Sequence, residues 1–240
     1  MGTIRSVTSR WLDDWYDVAL GRACVWCSTP GRLLCVGCRA ALPTGASRVR
    51  PDPCPHGLAP TFAAAEYADP VRRMILAHKE RGLYPLARPL GEILAGPVRA
   101  ALVPGGRTLL VPVPSRPAVV RARGHDAILR VVRVTAGLLR AEGADVTVQP
   151  LLRQRDLIAD QAGLTSAERA ANLADRMAVR PARLRGLARR GVRVAALVCD
   201  DVITTGSTAR EAQRALTDVG VPVRAICCVA ATRRRRPPRA

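Results

Sequence analysis

Aromatic residues make up only 3% of this 240-residue chain, with a single phenylalanine, which argues against a platform of stacked rings for single-stranded nucleic acid. No Gly-Lys-Ser or Gly-Lys-Thr triplet follows a strand-like run, so a P-loop is excluded, and the Gly-x-Gly-x-x-Gly dinucleotide fingerprint is missing as well. No apolar run approaches the roughly 20 residues of a membrane-spanning helix. The N-terminal stretch carries charges throughout and no secretory cleavage pattern. A cytoplasmic, reducing location is therefore expected, with cysteines held as thiols or as metal ligands.

Lysine is almost missing too. Lys79 is the sole example, so the formal net charge of +19 is carried by arginine. Such a field attracts phosphates, nucleotides or nucleic acid. Arginine-for-lysine usage of this kind also arises from biased composition alone, and both readings stand. Any nucleic-acid binding on this basis would be electrostatic and lost as salt rises.

The order of patterns divides the chain into three parts. Residues 1–60 hold an amphipathic N-terminal helix (Trp11, Leu12, Trp15, Tyr16, Val18), a cysteine module, and a Pro/Gly/Arg-rich linker from Pro43 to Pro60. Residues 61–232 form the body, and the arginine-rich tail, 233–240, has nothing with which to build a core. Within the body, periodicity predicts helices at Val71 to Lys79, Leu86 to Ala101, Ala127 to Ala141, Thr165 to Leu173 and Ala209 to Leu216. Strands are predicted at Thr108 to Val113, Val146 to Leu152, Arg193 to Cys199 and Val223 to Ala230. This alternation predicts an α/β fold with a doubly wound, mostly parallel sheet and a ligand at the strands' carboxyl ends.

Cys24-x-x-Cys27 and Cys35-x-x-Cys38 are separated by seven residues that include Pro30 and Gly31. Paired Cys-x-x-Cys turns can set four thiolates around one tetrahedral zinc, and an all-sulfur shell leaves no open position, so the metal would be structural. Disulfides or unligated thiols are the alternatives. Cys54 and His56 form a looser pair; Cys199, Cys227 and Cys228 sit in apolar runs and read as core residues.

The densest chemistry lies between Val192 and Leu216. A buried strand runs into Asp200 and Asp201, then into Thr204, Thr205, Gly206, Ser207 and Thr208, then into an amphipathic helix. Hydroxyls and free amides at a helix N-terminus favour a dianion. Two carboxylates just upstream would repel a bare phosphate, but would suit the hydroxyls or magnesium of the same ligand. A ribose 5-phosphate satisfies both halves. The alternative is a plain capping box, since Thr208 and Glu211 have its Thr-x-x-Glu spacing.

This segment resembles the phosphoribosyl-pyrophosphate signature of type I phosphoribosyltransferases. Further segments in matching order resemble the ComF family of competence-associated proteins: Val111 to Pro114, Arg121-x-Arg123-Gly124, Gln161 with Leu164, Arg169 and Asn172, Lys79 with Gly82, and the cysteine module. His125 and Asp126 replace the family's Phe-Asn, and a third Cys-x-x-Cys is reduced to Cys54.

The resemblance implies that Asp200 and Asp201 hold the ribose hydroxyls and Thr204 to Thr208 the 5-phosphate. Arg121, Arg123 and Lys79 would contact pyrophosphate, with magnesium accompanying the ligand and zinc in the cysteine module. His125 is expected to face solvent. Two functions follow from it: transfer of a phosphoribosyl group to or from a nitrogenous base, or a non-catalytic competence factor that keeps the pocket and acts through DNA and competence-machinery proteins.

Overall fold

The apolar runs of the body place successive residues on opposite sides of a sheet that is covered on both faces, so nearly every position is buried. In the strand Ala195–Ile203, Leu197 and Cys199 face one core while Ala196 and Val198 face the other. The computed structural model describes residues 23–103, 105–155, 176–188 and 195–233.

Among the described residues the elements run α1 (Val36–Ala40), β1 (Ser47–Val49), β2 (Thr61–Glu66), α2 (Val71–Glu80), α3 (Ala87–Ala101), β3 (Thr108–Pro112), α4 (Pro117–Arg123) and α5 (Ala127–Ala141). They continue through β4 (Val146–Val148), β5 (Leu152–Gln154), β6 (Met177–Val179), α6 (Pro181–Ala188), β7 (Ala195–Ile203), α7 (Ser207–Thr217) and β8 (Val223–Ala231). The sheet order is β1-β2-β8-β7-β3-β4, and all pairings are parallel except β1 with β2. The expected α/β class with a mostly parallel sheet is therefore present, and β7 lies inside the sheet with its carboxyl end between β8 and β3.

The expected helix at Thr165 to Leu173, the Gln161 to Asn172 block, the N-terminal helix and the tail beyond Arg233 lie outside the described residues. Where expectation and structure can be compared, most elements agree to within a few residues. One strand expected at Val146 to Leu152 is two, β4 in the main sheet and β5 paired antiparallel with β6. Among the described residues, no helix is long and apolar enough to cross a membrane.

The linker reading needs a correction in its detail. Ser47–Val49, inside the Pro43 to Pro60 stretch, forms the antiparallel edge of the main sheet, with Ser47 opposite Ala63 and Val49 opposite Thr61. Three residues are too few to show an alternating pattern, so only the pairing reveals the strand. The cysteine module is also joined to the body by packing: Leu33 and Leu42 are buried in the same cluster as Met74, Ile93 and Leu94. Arg73 of α2 donates to the Trp26 carbonyl at 2.9 Å.

The chain after the module passes so close to α3 that a β-carbon on Gly96 would lie 2.2 Å from the Thr44 carbonyl oxygen and 2.3 Å from that of Gly45. Backbone cannot yield as a flexible side chain does. Gly96→Ala is expected to destabilise the fold by about 3 kcal/mol, the upper end of ordinary overpacking costs, measured as a lower denaturation midpoint. An unchanged midpoint would contradict this contact.

Candidate functional site

Asp200 and Asp201 lie in the carboxyl-terminal half of β7, followed within the strand by Val202 and Ile203, and the pleat sends the two side chains to opposite faces of the sheet. Asp201 is buried and forms an ion pair with Lys79 Nζ, carried by the last turn of α2. Burial pulls the Lys79 ammonium down, but the Asp201 carboxylate overrides it and leaves the lysine above its ordinary value. Asp200 accepts the Asp201 amide N–H through Oδ1 at 2.8 Å. Its carboxyl is pushed well above the usual range by burial and then by the neighbouring Asp201 charge, with Lys79 opposing. The acid pair is thus one side chain already engaged by a lysine beside one held toward its protonated form.

The turn follows at once. Gly206 takes φ 72° and ψ 0°, a left-handed conformation costly for other residues, and is the residue from which α7 springs. Thr205 Oγ1 and Ser207 Oγ lie 3.0 Å apart, and Thr204, Thr205, Ser207 and Thr208 are exposed. No side chain caps the helix. The capping-box alternative is not formed, because Thr208 lies inside α7 and Glu211 instead accepts the Met177 amide N–H at 3.0 Å and pairs with Arg214 at 2.8 Å.

A cavity of about 630 Å³ opens beside this N-terminus, lined by Ser207 and Thr208 together with Arg116, Arg121, Arg155 and Arg176. The α4 helix supplies Arg121, and the strands β5 and β6 flank Arg155 and Arg176. Exposed hydroxyls, a helix N-terminus and four arginines, set against the single acidic residue Glu211, make the lining of this space anion-attracting.

The structure does not bring all the expected pyrophosphate contacts together. Arg121 lines this cavity, whereas Arg123 pairs with Glu80 at 2.5 Å and Lys79 is engaged with Asp201. Arg116, Arg155 and Arg176 stood out in no motif; in so arginine-rich a chain, only the fold distinguishes them. The expectation that His125 faces solvent is wrong. It is 9% exposed, its ring lies 4.4 Å from that of Tyr84 and 5.6 Å from that of His78, and its Nδ1 is 3.1 Å from the Arg123 carbonyl oxygen.

At the other end of the chain, the Sγ atoms of Cys24, Cys27, Cys35 and Cys38 all lie within 4.8 Å of one another. Cys27 and Cys35 Sγ lie 3.7 Å apart, far beyond a disulfide of about 2.05 Å, and all four cysteines are free thiols. Backbone N–H groups of Cys35 and Cys38 point at the Sγ atoms of Cys24 and Cys35, at 3.4 and 3.5 Å. Hydrogen bonds from Thr29 lower the Cys27 thiol to about 6, while burial and the three neighbouring thiols push Cys38 up. Four sulfurs so close cannot all ionise without a cation, and they form a set that could bind a metal such as zinc. Cys54 lies outside this cluster, and Cys199, Cys227 and Cys228 are fully buried core residues as expected.

Gly206 has a second constraint. A β-carbon there would lie 2.9 Å from Pro51 Cγ, 3.1 Å from Leu58 Cδ2 and 3.2 Å from Pro55 Cδ. Gly206→Val is therefore expected to lower stability by about 2 kcal/mol with no ligand present, from conformation and crowding together. A denaturation midpoint equal to the parent's would contradict that. No protein-family model matches the chain, and no curated protein matches it.

Proposed function

We propose that the protein binds phosphoribosyl pyrophosphate and transfers its phosphoribosyl group to or from a nitrogenous base, on a fold of the type I phosphoribosyltransferase kind and in the manner of the ComF family. The observation that carries this reading is the continuity of the site. An acid pair at the carboxyl end of an interior parallel strand passes directly into an uncapped helix N-terminus that faces a four-arginine cavity. One half suits ribose hydroxyls, the other phosphate.

In this reading Thr204 to Thr208 hold the 5-phosphate through hydroxyls and amides, and Asp200 and Asp201 accept from the ribose hydroxyls. Arg121, with Arg116, Arg155 and Arg176, faces the pyrophosphate. Departure of pyrophosphate leaves a cation-like anomeric centre, so fixed guanidinium groups aimed at the leaving oxygens lower the barrier most. Lys79 gains a role by proximity: a ligand that takes Asp201 for its hydroxyls releases the ammonium toward the developing negative charge.

Magnesium fits the chain alone poorly, because Asp201 is matched by Lys79 and Asp200 is held toward the protonated form. The ion in this reading arrives with the diphosphate, and no step is assigned to it.

Base-dependent release of pyrophosphate tests the proposal. The protein, phosphoribosyl pyrophosphate and magnesium are incubated with adenine, guanine, hypoxanthine, uracil, orotate or nicotinate in turn. Release with one base and none without it is expected. Tight ligand binding with no release for any base would remove the enzymatic reading and support the non-catalytic competence factor.

A further inference from the structure

The segment between β1 and β2 crosses the start of α7 as an arch of residues 51–59, and three side-chain hydrogen bonds from α7 hold it there. Gln213 spans two backbone groups at once: its Oε1 accepts the Ala59 N–H at 2.8 Å and its Nε2 donates to the Gly57 carbonyl at 2.9 Å. Arg210 Nε donates to the His56 carbonyl at 3.0 Å. Gly206, Arg210 and Gln213 are spaced four and three residues apart, so they form one stripe along the helix. The arch rests on that stripe, with Pro51, Pro55 and Leu58 closing over Gly206. Thr208 and Glu211 lie on a different side of the helix and line the arginine cavity.

The turn is therefore held between a wall built by the arch and the cavity that would receive a phosphate. Gly206 is buried although its neighbours Thr205 and Ser207 are exposed. Its left-handed conformation aims the following amides, and glycine alone would impose no such choice, because it is the most conformationally free residue.

We infer that Gln213 and Arg210 are positioning residues of the anion turn, fixing the arch as its back wall so that the first amides of α7 are ordered toward the cavity before any ligand arrives. The inference rests on reading Thr204 to Thr208 as the phosphate-binding turn. Its physical content is pre-organisation: a turn that is already ordered loses less entropy when it closes on an anion. Neither residue contacts the ligand in this account. Both act through backbone groups of a segment 154 to 156 positions away in sequence.

The test compares the parent with Arg210→Ala/Gln213→Ala, with Arg210→Lys as the conservative variant that can still donate to the His56 carbonyl. Ribose 5-phosphate is the calorimetric probe, because it reports the phosphate turn without a diphosphate. Hydrogen exchange at the amides of residues 205–209 is read separately, without ligand. For the double variant, dissociation constant and exchange rates should each rise about tenfold, the scale of losing one or two net hydrogen bonds, while Arg210→Lys stays close to the parent.

Faster exchange with unaltered ribose 5-phosphate affinity would overturn the inference, since the wall would then order the turn to no effect on the ligand. Unaltered exchange would overturn it as well. Should the parent itself bind no ribose 5-phosphate, the functional reading falls, and exchange still decides whether the two side chains order the turn.

Discussion

Changing Cys24 to serine is expected to abolish stoichiometric metal and to lower the stability of the whole chain, beyond the module itself. Purified under reducing conditions without chelator, the parent should carry one zinc per chain. Four Sγ atoms within 4.8 Å form a closed all-sulfur set, and binding free energies of structural zinc sites in small peptides run to about 10–16 kcal/mol. Only part of that range would appear as global stability, because the body has a core of its own. Leu33 and Leu42, however, belong to the main core cluster, and Arg39 of α1 pairs with Glu92 of α3. Loosening the module therefore opens a face of the body. A loss of at least about 3 kcal/mol is expected, comparable to removing a large buried side chain. Cys54→Ser, outside the cluster, should leave both metal content and denaturation midpoint unchanged. Parent protein without zinc, or Cys24→Ser with the parent's midpoint, would contradict the metal assignment.

The second large effect concerns Asp201. Replacing it with asparagine takes away the hydrogen-bonded carboxylate partner of the Lys79 ammonium and leaves it only the weaker attraction of Asp200. The pair is partly buried, with side chains 12% and 30% exposed. Breaking a fully buried pair costs 3–5 kcal/mol, so a loss of about 2 kcal/mol is expected here. Lys79→Met in the same background should recover most of it, since an apolar side chain of similar length removes the stranded charge. Non-additivity of this kind marks a direct interaction.

The sign with pH follows from the lysine. Its native pKa is raised above 10.5, so its contribution is in force below the ordinary lysine value and fades only as pH climbs through the raised one. The destabilisation by Asp201→Asn should therefore be undiminished across the neutral range. Equal stability of the parent and Asp201→Asn at pH 7 would remove the ion pair from the account.

What could be read in advance was what depends on local pattern. Strands buried on both faces give continuous apolar runs such as Leu109 to Val111 and Ile226 to Val229, and helices repeat near every third or fourth residue; α5 begins and ends where its periodicity does. The paired Cys-x-x-Cys turns bring four sulfurs together because each turn is local and the intervening chain is short. Asp200, Asp201 and the turn are contiguous, so strand, acid pair and helix start fell in order.

Contacts between distant segments were not legible. β1 is a three-residue edge strand whose only signature is its partner. Gln213 and Arg210 sit opposite the apolar residues of an amphipathic helix, where nothing local marks a partner, yet they hold the 51–59 arch. His125 carries a polar atom and is still packed against Tyr84. Lys79 and Asp201 lie 122 positions apart in number and meet only because α2 ends over the carboxyl end of β7. Among so many arginines, three of the four that line the cavity, Arg116, Arg155 and Arg176, have no local mark at all.

The central claim is that Asp200, Asp201 and the turn from Thr204 to Thr208 are one ligand site. Its most direct test is isothermal titration of phosphoribosyl pyrophosphate with magnesium into the zinc-loaded parent and into Asp200→Asn/Asp201→Asn, alongside Asp200→Asn/Asp201→Asn/Lys79→Met, in which the stranded ammonium is gone. The account predicts saturable one-to-one binding by the parent and at least about a hundredfold weaker binding by both variants, the scale of losing one or two hydrogen bonds to a charged group. Parent and variants binding with the same affinity, or no binding by the parent at all, would contradict it.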